Sequence, residues 1–206
     1  MKRANPGDDM ISWLADVDYE AFDRKLTDTE IVGIIYGMNL GGLETTQYAI
    51  VEQALLICKN PSLFKTLKDD RKKVKFFVEE GMRLRSPTQG LSTRMTIQDE
   101  VFQGVNVPAG SVIHFRLAAG NLDSERFECP KELRLDRRAP TSHLAFSLGP
   151  RSCPGQGISR VEQNIAWNKL LDKLDGISIA DDATFKLQPG IMLGLAELKL
   201  NFTKAQ

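Results

Sequence analysis

Cys153 is the residue best placed for chemistry. It stands in FSLGPRSCPGQG, residues 146–157: Gly149 and Pro150 turn the chain before it, Arg151 adds positive charge, and Gly155 and Gly157 leave the backbone bare after it. A helix is expected to begin at about Gly155. The free N–H groups and the dipole at a helix start stabilise a thiolate, so the loop suits an anionic sulfur. Three uses compete. A lone cysteine is most often a buried, inert side chain. A phosphatase-type nucleophile needs Cys-x5-Arg with glycines between, but the next arginine, Arg160, comes a position too late and no histidine precedes the cysteine in the loop. A metal thiolate is the third use. One cysteine is too few for zinc or an iron–sulfur cluster, which take about four ligands, whereas a haem iron accepts a single axial ligand from this side.

Three other groupings carry chemical meaning. In GGLETT (41–46), two glycines stand in a helix interior, where each costs about 1 kcal/mol relative to alanine. Gly33, Gly37, Gly41 and Thr45 recur every four residues and share one helix face, which ends in a hydroxyl beside Glu44. Close helix–helix packing would also use such a face. In EEGMR, Glu80 and Arg83 are neighbours on one helix face; exposed, such a pair contributes only a few tenths of a kcal/mol. In SHLAF, His143 alone reads as a capping or surface histidine.

The elements that must position these groups follow from periodicity. A turn signal, NPGDD, precedes a short helical pattern around Met10 to Ala15. Thr27 and Glu30 form a capping box, and an apolar helix follows to Cys58, stopped by Lys59-Asn60-Pro61. A second helix covers 61–69. A third covers 70–85, with Val74, Phe77, Val78, Gly81 and Leu84 on one face, and ends at Ser86-Pro87. Met95 to Ser111 reads as a hairpin punctuated by Gly104 and Pro108-Ala109-Gly110. Residues 113–120 read as helical. From 121 to 152 little is periodic, and long irregular segments in compact domains are usually functional or disordered. The last helix places Ile158, Val161, Ile165 and Leu171 on an expected buried face, and LAELKLNF alternates like short strands. Helices, a small sheet, an irregular stretch, a helix and strands make a mainly α chain with a small β part.

Composition narrows the function classes. Of 206 residues, 42% are hydrophobic, enough for a real core in one domain or two small ones. The 27 basic and 27 acidic residues cancel, so nothing points to nucleic acid or a membrane surface. Cys58, Cys129 and Cys153 form no CxxC pair or disulfide framework, which favours a reducing, cytoplasmic setting. The start lacks an apolar signal core, and the uncharged run Ile31 to Leu43 is too short to span a bilayer.

Taken whole, Phe146-x-x-Gly149-x-Arg151-x-Cys153-x-Gly155 resembles the haem-ligand signature of the cytochrome P450 family, the haem-thiolate monooxygenases. The other groupings match the same family. The resemblance implies the C-terminal half of the cytochrome P450 fold, soluble bacterial type, as a single partial haem-thiolate domain over 1–206. Its parts would be an oxygen-binding helix at 27–58, a Glu-x-x-Arg helix at 70–85, a meander at 121–152, the cysteine ligand loop at 146–155 and C-terminal strands at 177–203. It implies haem b (iron protoporphyrin IX) with Cys153 as axial ligand of the iron, framed by Phe146, Gly149 and Gly155. It implies that Gly41 leaves room for O2 and that Glu44 and Thr45 relay protons. His143, Arg151 and Arg94 would contact haem propionates. Glu80 and Arg83 would join Arg137, from PKELRLDR, in a structural triad. The implied activity is O2-dependent oxidation of a small organic substrate, with electrons from a ferredoxin or flavin reductase. Family members are about twice as long, so the substrate-roofing half is absent from this sequence. The chain then reads either as the core of a monooxygenase, complemented by a missing N-terminal half, or as a truncated or split-gene haem-binding remnant without independent activity. A thiol-dependent enzyme using Cys153 as nucleophile is a third alternative.

Overall fold

The computed structural model describes residues 2–90, 92–187, 192, 194, 195 and 197–205. The chain divides into two compact units, Met1–Glu44 and Thr45–Gln206.

In the first unit, α1 (Met10–Asp16) is capped by Asp9, whose carboxylate accepts from the Ser12 N–H at 2.9 Å. β1 (Asp18–Tyr19) pairs antiparallel with β2 (Arg24–Lys25). The expected capping box then opens α2 (Asp28–Lys59): the Glu30 N–H donates to Thr27 Oγ1 at 3.2 Å, and the Thr27 N–H donates to the Glu30 carboxylate at 2.7 Å. Val32, Tyr36, Leu40 and Leu43 are exposed along this part of α2. A helix that is apolar on all sides is suited to an interior.

The second unit holds the main core. The C-terminal part of α2 contributes Ala54 and Ile57. Leu63, Phe64 and Leu67 come from α3 (Pro61–Asp69), Val74, Phe77 and Val78 from α4 (Val74–Leu84), and Trp167 and Leu171 from α6 (Gln156–Lys173). Pro61 opens α3 where its missing N–H has no role. Residues 71–73, expected as the first turn of α4, are a 3₁₀ turn instead, because the Asp70 carboxylate takes the Lys72 N–H at 3.1 Å. A Cβ on Gly81 would stand 2.4 Å from Gln53 Cγ, so glycine is what lets α4 approach α2 here.

Among the described residues, the named strands form four short ladders. β3 (Ser92–Met95) pairs with β6 (Val112–Phe115), and β4 (Glu100–Phe102) with β5 (Val105–Val107). The β4–β5 turn places Gln103 and Gly104 both at positive φ, the requirement of a type I′ hairpin. The helix expected over 113–120 is corrected: 112–115 is strand, and only α5 (Leu117–Gly120) is helical. Pairing of Arg94 with Ile113 claims VIHF, rich in β-branched and aromatic residues, for the ladder. Between α5 and α6, a 3₁₀ turn at Gly149–Arg151 is the sole regular element among the described residues. β7 (Leu174–Ile179) and β8 (Leu200–Lys204) close the chain; positions 188–191, 193 and 196 of the strands expected over 177–203 lie outside the described residues.

The buried face of α6 is a second correction. Gln163, Trp167 and Leu171 face the core, while Ile158, Val161 and Ile165 are 65, 57 and 56% exposed. Polar Gln163 wins the inner face because Gln53 meets it: Gln53 Nε2 donates to Gln163 Oε1 at 2.6 Å, and Trp167 Nε1 donates to Gln53 Oε1 at 2.6 Å. A buried polar group with partners avoids the desolvation cost that periodicity alone assigns to it.

Candidate functional site at the cysteine loop

α4 carries two adjacent buried carboxylates, and each holds a different stretch of chain. Glu80 accepts from Arg83 at 2.7 and 3.0 Å, from Arg137 Nε at 2.8 Å and from the Arg134 N–H at 3.0 Å. Arg83 uses all of its N–H donors: beyond Glu80 it donates to the carbonyls of Asn121 at 2.9 Å, Pro130 at 2.6 Å and Glu132 at 3.0 Å. Glu80, Arg83 and Arg137 are thus one network, and one guanidinium ties down the irregular segment by its backbone. That segment lacks a ladder of its own, and buried carbonyls need partners.

Glu79 turns to the cysteine loop. Its carboxylate accepts from Arg160 Nε at 2.7 Å and Nη2 at 3.2 Å, and lies 2.9 Å from His143 Nε2. The Ala145 N–H donates to His143 Nδ1 at 3.2 Å. Nδ1 is therefore the acceptor and Nε2 carries the proton. His143 is fully enclosed, with both ring nitrogens engaged by the protein. His143, expected beside a cofactor carboxylate, here meets the carboxylate of Glu79.

Burial pushes both carboxyls up, but the hydrogen bonds from His143 and Arg160 for Glu79, and from Arg83 and Arg134 N–H for Glu80, outweigh it and leave both below the ordinary carboxylate range. A lowered folded-state pKa gives stability that is complete above the unfolded value, about 4.3, and is lost as pH falls below it. Near-UV circular dichroism is expected to hold steady from neutrality to about pH 5 and to decay below that. A decay centred near neutrality would assign acid stability to some other group.

The loop follows from these anchors. The Cys153 N–H donates to the Phe146 carbonyl at 2.8 Å, and Ser147 and Gly149 take positive φ (61° and 73°) to turn the chain between them. Gly149 is needed at that φ. The Phe146 ring lies under the Arg160 guanidinium at 4.5 Å. Cys153 is a free, half-buried thiol that packs on Ala49, Met82 and Phe146, two residues before Gly155, the N-cap of α6. A Cβ on Gly155 would stand 3.9 Å from the sulfur; glycine keeps that side uncrowded.

The remaining expected residues lie on β3, in the 3₁₀ turn and on α2. Arg94 is exposed on β3 and donates to the Thr93 carbonyl; Arg151 is exposed in the 3₁₀ turn. Among the described residues, neither meets a carboxylate. Glu44 and Thr45 are consecutive on α2, exposed and half-buried respectively, and a Cβ on Gly41 would meet nothing within 4 Å. Sequence reasoning missed Glu79, Arg160 and Asn121, whose Oδ1 takes the Leu144 N–H at 2.5 Å. The available signal was that Glu79 adjoins the apolar face of α4, where an acid needs a partner.

The family model for cytochrome P450 matches residues 7–202. The chain belongs to the cytochrome P450 family. It is 34% identical over 180 residues to cytochrome P450 105C1 of a Streptomyces species and 32% identical over 200 residues to cytochrome P450 107B1 of Saccharopolyspora erythraea, covering 87% and 96% of this chain. It spans about half of those cytochromes P450, 46% and 48% of their lengths. Substrate-free cytochrome P450 CYP150A6 of Mycobacterium marinum overlays all of this chain with a TM-score of 0.93 at 30% identity, and the overlay covers 52% of that structure.

Haem b is the cofactor of this family, and the residues present fit it in two respects. A free thiol at a helix start offers one sulfur donor. Arg94 and Arg151 are cations without a carboxylate partner among the described residues. No group of three or more His, Cys, Asp or Glu that could hold a metal ion exists among the described residues. No helix among the described residues is long and apolar enough to cross a membrane.

Proposed function

We propose that this chain is the haem-binding core half of a cytochrome P450 monooxygenase, which uses O2 to oxidise a small organic substrate. The observation that carries the reading is Cys153: a free thiol at the head of α6, in the family's ligand motif, with its backbone held by Phe146. Cys153 would hold the haem iron through its sulfur. Haem, when bound, supplies the redox chemistry on O2, and a thiolate ligand donates electron density to it. Arg94 and Arg151 hold the propionates. Glu44 and Thr45 hold and pass protons, and Gly41 keeps the helix face beside them free of side-chain bulk. Electrons come from a ferredoxin or flavin reductase. One solved relative, CYP109E1 of Bacillus megaterium, holds testosterone, and one curated relative is a steroid C26-monooxygenase. Steroid-sized molecules are therefore the first substrates to assay.

A second reading, a haem-binding chain without independent activity, is kept because the exposed apolar stripe Ile158, Val161 and Ile165 leaves one face of α6 uncovered. An apolar stripe opposite a buried face marks a helix meant to be covered on both sides. A complementary polypeptide carrying the other half of the fold would cover it.

The test is the absorption spectrum of the purified chain reconstituted with haemin, reduced and exposed to carbon monoxide. A strongly red-shifted Soret band, abolished in Cys153→Ala, is the expected result. An unshifted band, or no haem uptake, would remove the thiolate assignment for this chain and leave the remnant reading. Turnover with a redox partner then separates core from remnant.

A further inference from the structure

We infer that Glu79 is a positioning residue for the Cys153 sulfur, distinct in role from its neighbour Glu80; the inference rests on the assignment of Cys153 as the iron ligand. His143 and Arg160 stand before and after the cysteine in sequence, and the Glu79 carboxylate joins them across the loop. Between them lies a continuous series of contacts. The Arg160 guanidinium sits 4.5 Å over the Phe146 ring, the His143 ring centroid is 6.0 Å from the Phe146 centroid, and the Phe146 carbonyl takes the Cys153 N–H at 2.8 Å. The base of the clamp is rigid, because Phe77 and Val78, the preceding residues on α4, are fully buried in the main core. Glu79 does not touch the sulfur. It closes a ring of chain around it.

The chemistry of the partners demands a carboxylate. Nδ1 of His143 already accepts from Ala145, so Nε2 presents a proton, and a guanidinium presents only donors. Two acceptor oxygens are required side by side. Glutamine at 79 would turn an NH₂ group toward one of those donors and leave it unpaired in a buried site, where an unmade hydrogen bond is costly. Glu80 cannot substitute: its partners are Arg83, Arg134 and Arg137, none of them in the stretch from 143 to 160. Two adjacent acids thus divide the work. Glu80 holds the irregular segment, and Glu79 sets where the thiol points.

Glu79→Gln and Leu67→Ala, a cavity variant in α3 far along the core, are compared in the full chain at matched loss of thermal stability. The first readout needs no haem: the rate at which iodoacetamide alkylates Cys153, followed by peptide mass spectrometry. Freeing the loop to open locally is expected to raise that rate by about tenfold in Glu79→Gln and leave it near wild type in Leu67→Ala. The second readout, after haemin reconstitution, is the share of the carbon monoxide complex that absorbs at the unshifted position; it is expected to rise in Glu79→Gln alone. Equal behaviour of the two variants, an unchanged rate in Glu79→Gln, or wild-type Cys153 reacting as fast as a free thiol would overturn the clamp. If the wild-type chain shows no Cys153-dependent red-shifted band, the ligand assignment falls, and the alkylation comparison still decides the clamp on its own.

Discussion

Arg83→Ala is expected to release the segment 121–152 and to leave a chain that barely folds. Arg83 is 1% exposed and its partner Glu80 is fully buried. Removing one member of a buried ion pair costs about 3–5 kcal/mol, since the other charge is left uncompensated. Here the loss is compounded. The carbonyls of Asn121, Pro130 and Glu132 lose their donor together, and net stabilities of domains are only about 5–15 kcal/mol. Urea denaturation should show a much lower midpoint, and limited proteolysis should cut first within 121–152. Arg134→Ala is the control. Arg134 pairs with Asp136 and Glu128, whose side chains are 72 and 82% exposed, so its loss is expected to shift stability by less than about 1 kcal/mol. Equal midpoints for the two variants would refute the view that one guanidinium organises the irregular segment.

Trp167→Ala is expected to destabilise the second unit by about 3–5 kcal/mol, the range for a large aromatic removed from a core. Trp167 is fully buried, stands edge-on to Phe77 with centroids 5.3 Å apart, and donates to Gln53. It also lines an apolar cavity of about 300 Å³ with Ala54, Phe64 and Leu198, which limits how far the site can collapse around the void. Trp167→Phe separates packing from hydrogen bonding. It keeps most of the ring and leaves Gln53 Oε1 without its donor, which costs about 1–3 kcal/mol. Thermal melts should order the chains wild type, Trp167→Phe, Trp167→Ala. If Phe and Ala fall together, the Gln53 bond and not the packing sets the stability of this helix junction.

The elements that were legible in the sequence are those with local causes. The Thr27–Glu30 box and Pro61 mark helix ends because capping and the missing proline N–H act within a few residues. Gly104 marks a hairpin because positive φ is a property of one residue. The turn at the cysteine loop was legible for the same reason: Gly149, Cys153 and Gly155 act at short range around it. Where a decision was tertiary, periodicity misled. VIHF joined β3 although its apolar run continues toward α5, because a ladder partner lay elsewhere in the chain. On α6, Ile158, Val161 and Ile165 have the spacing of a buried stripe, and Gln163 took the core because Gln53, far away in sequence, supplies its partner.

The candidate site divides along the same line. From residue types and spacing alone came a single cysteine before a helix, an acid and an arginine one turn apart, and an acid–threonine pair among glycines. Those identities set which chemistry is available, because ligand type and helix-face adjacency are decided by the side chain and its near neighbours. Only the tertiary structure decided partners. It joined Arg137 and the carbonyls of the irregular segment to the Glu80–Arg83 pair, withdrew His143 from solvent onto Glu79, and turned Arg160 back over Phe146. A buried charge is stable only where donors converge on it from segments distant in sequence, and that convergence exists only once the chain has folded.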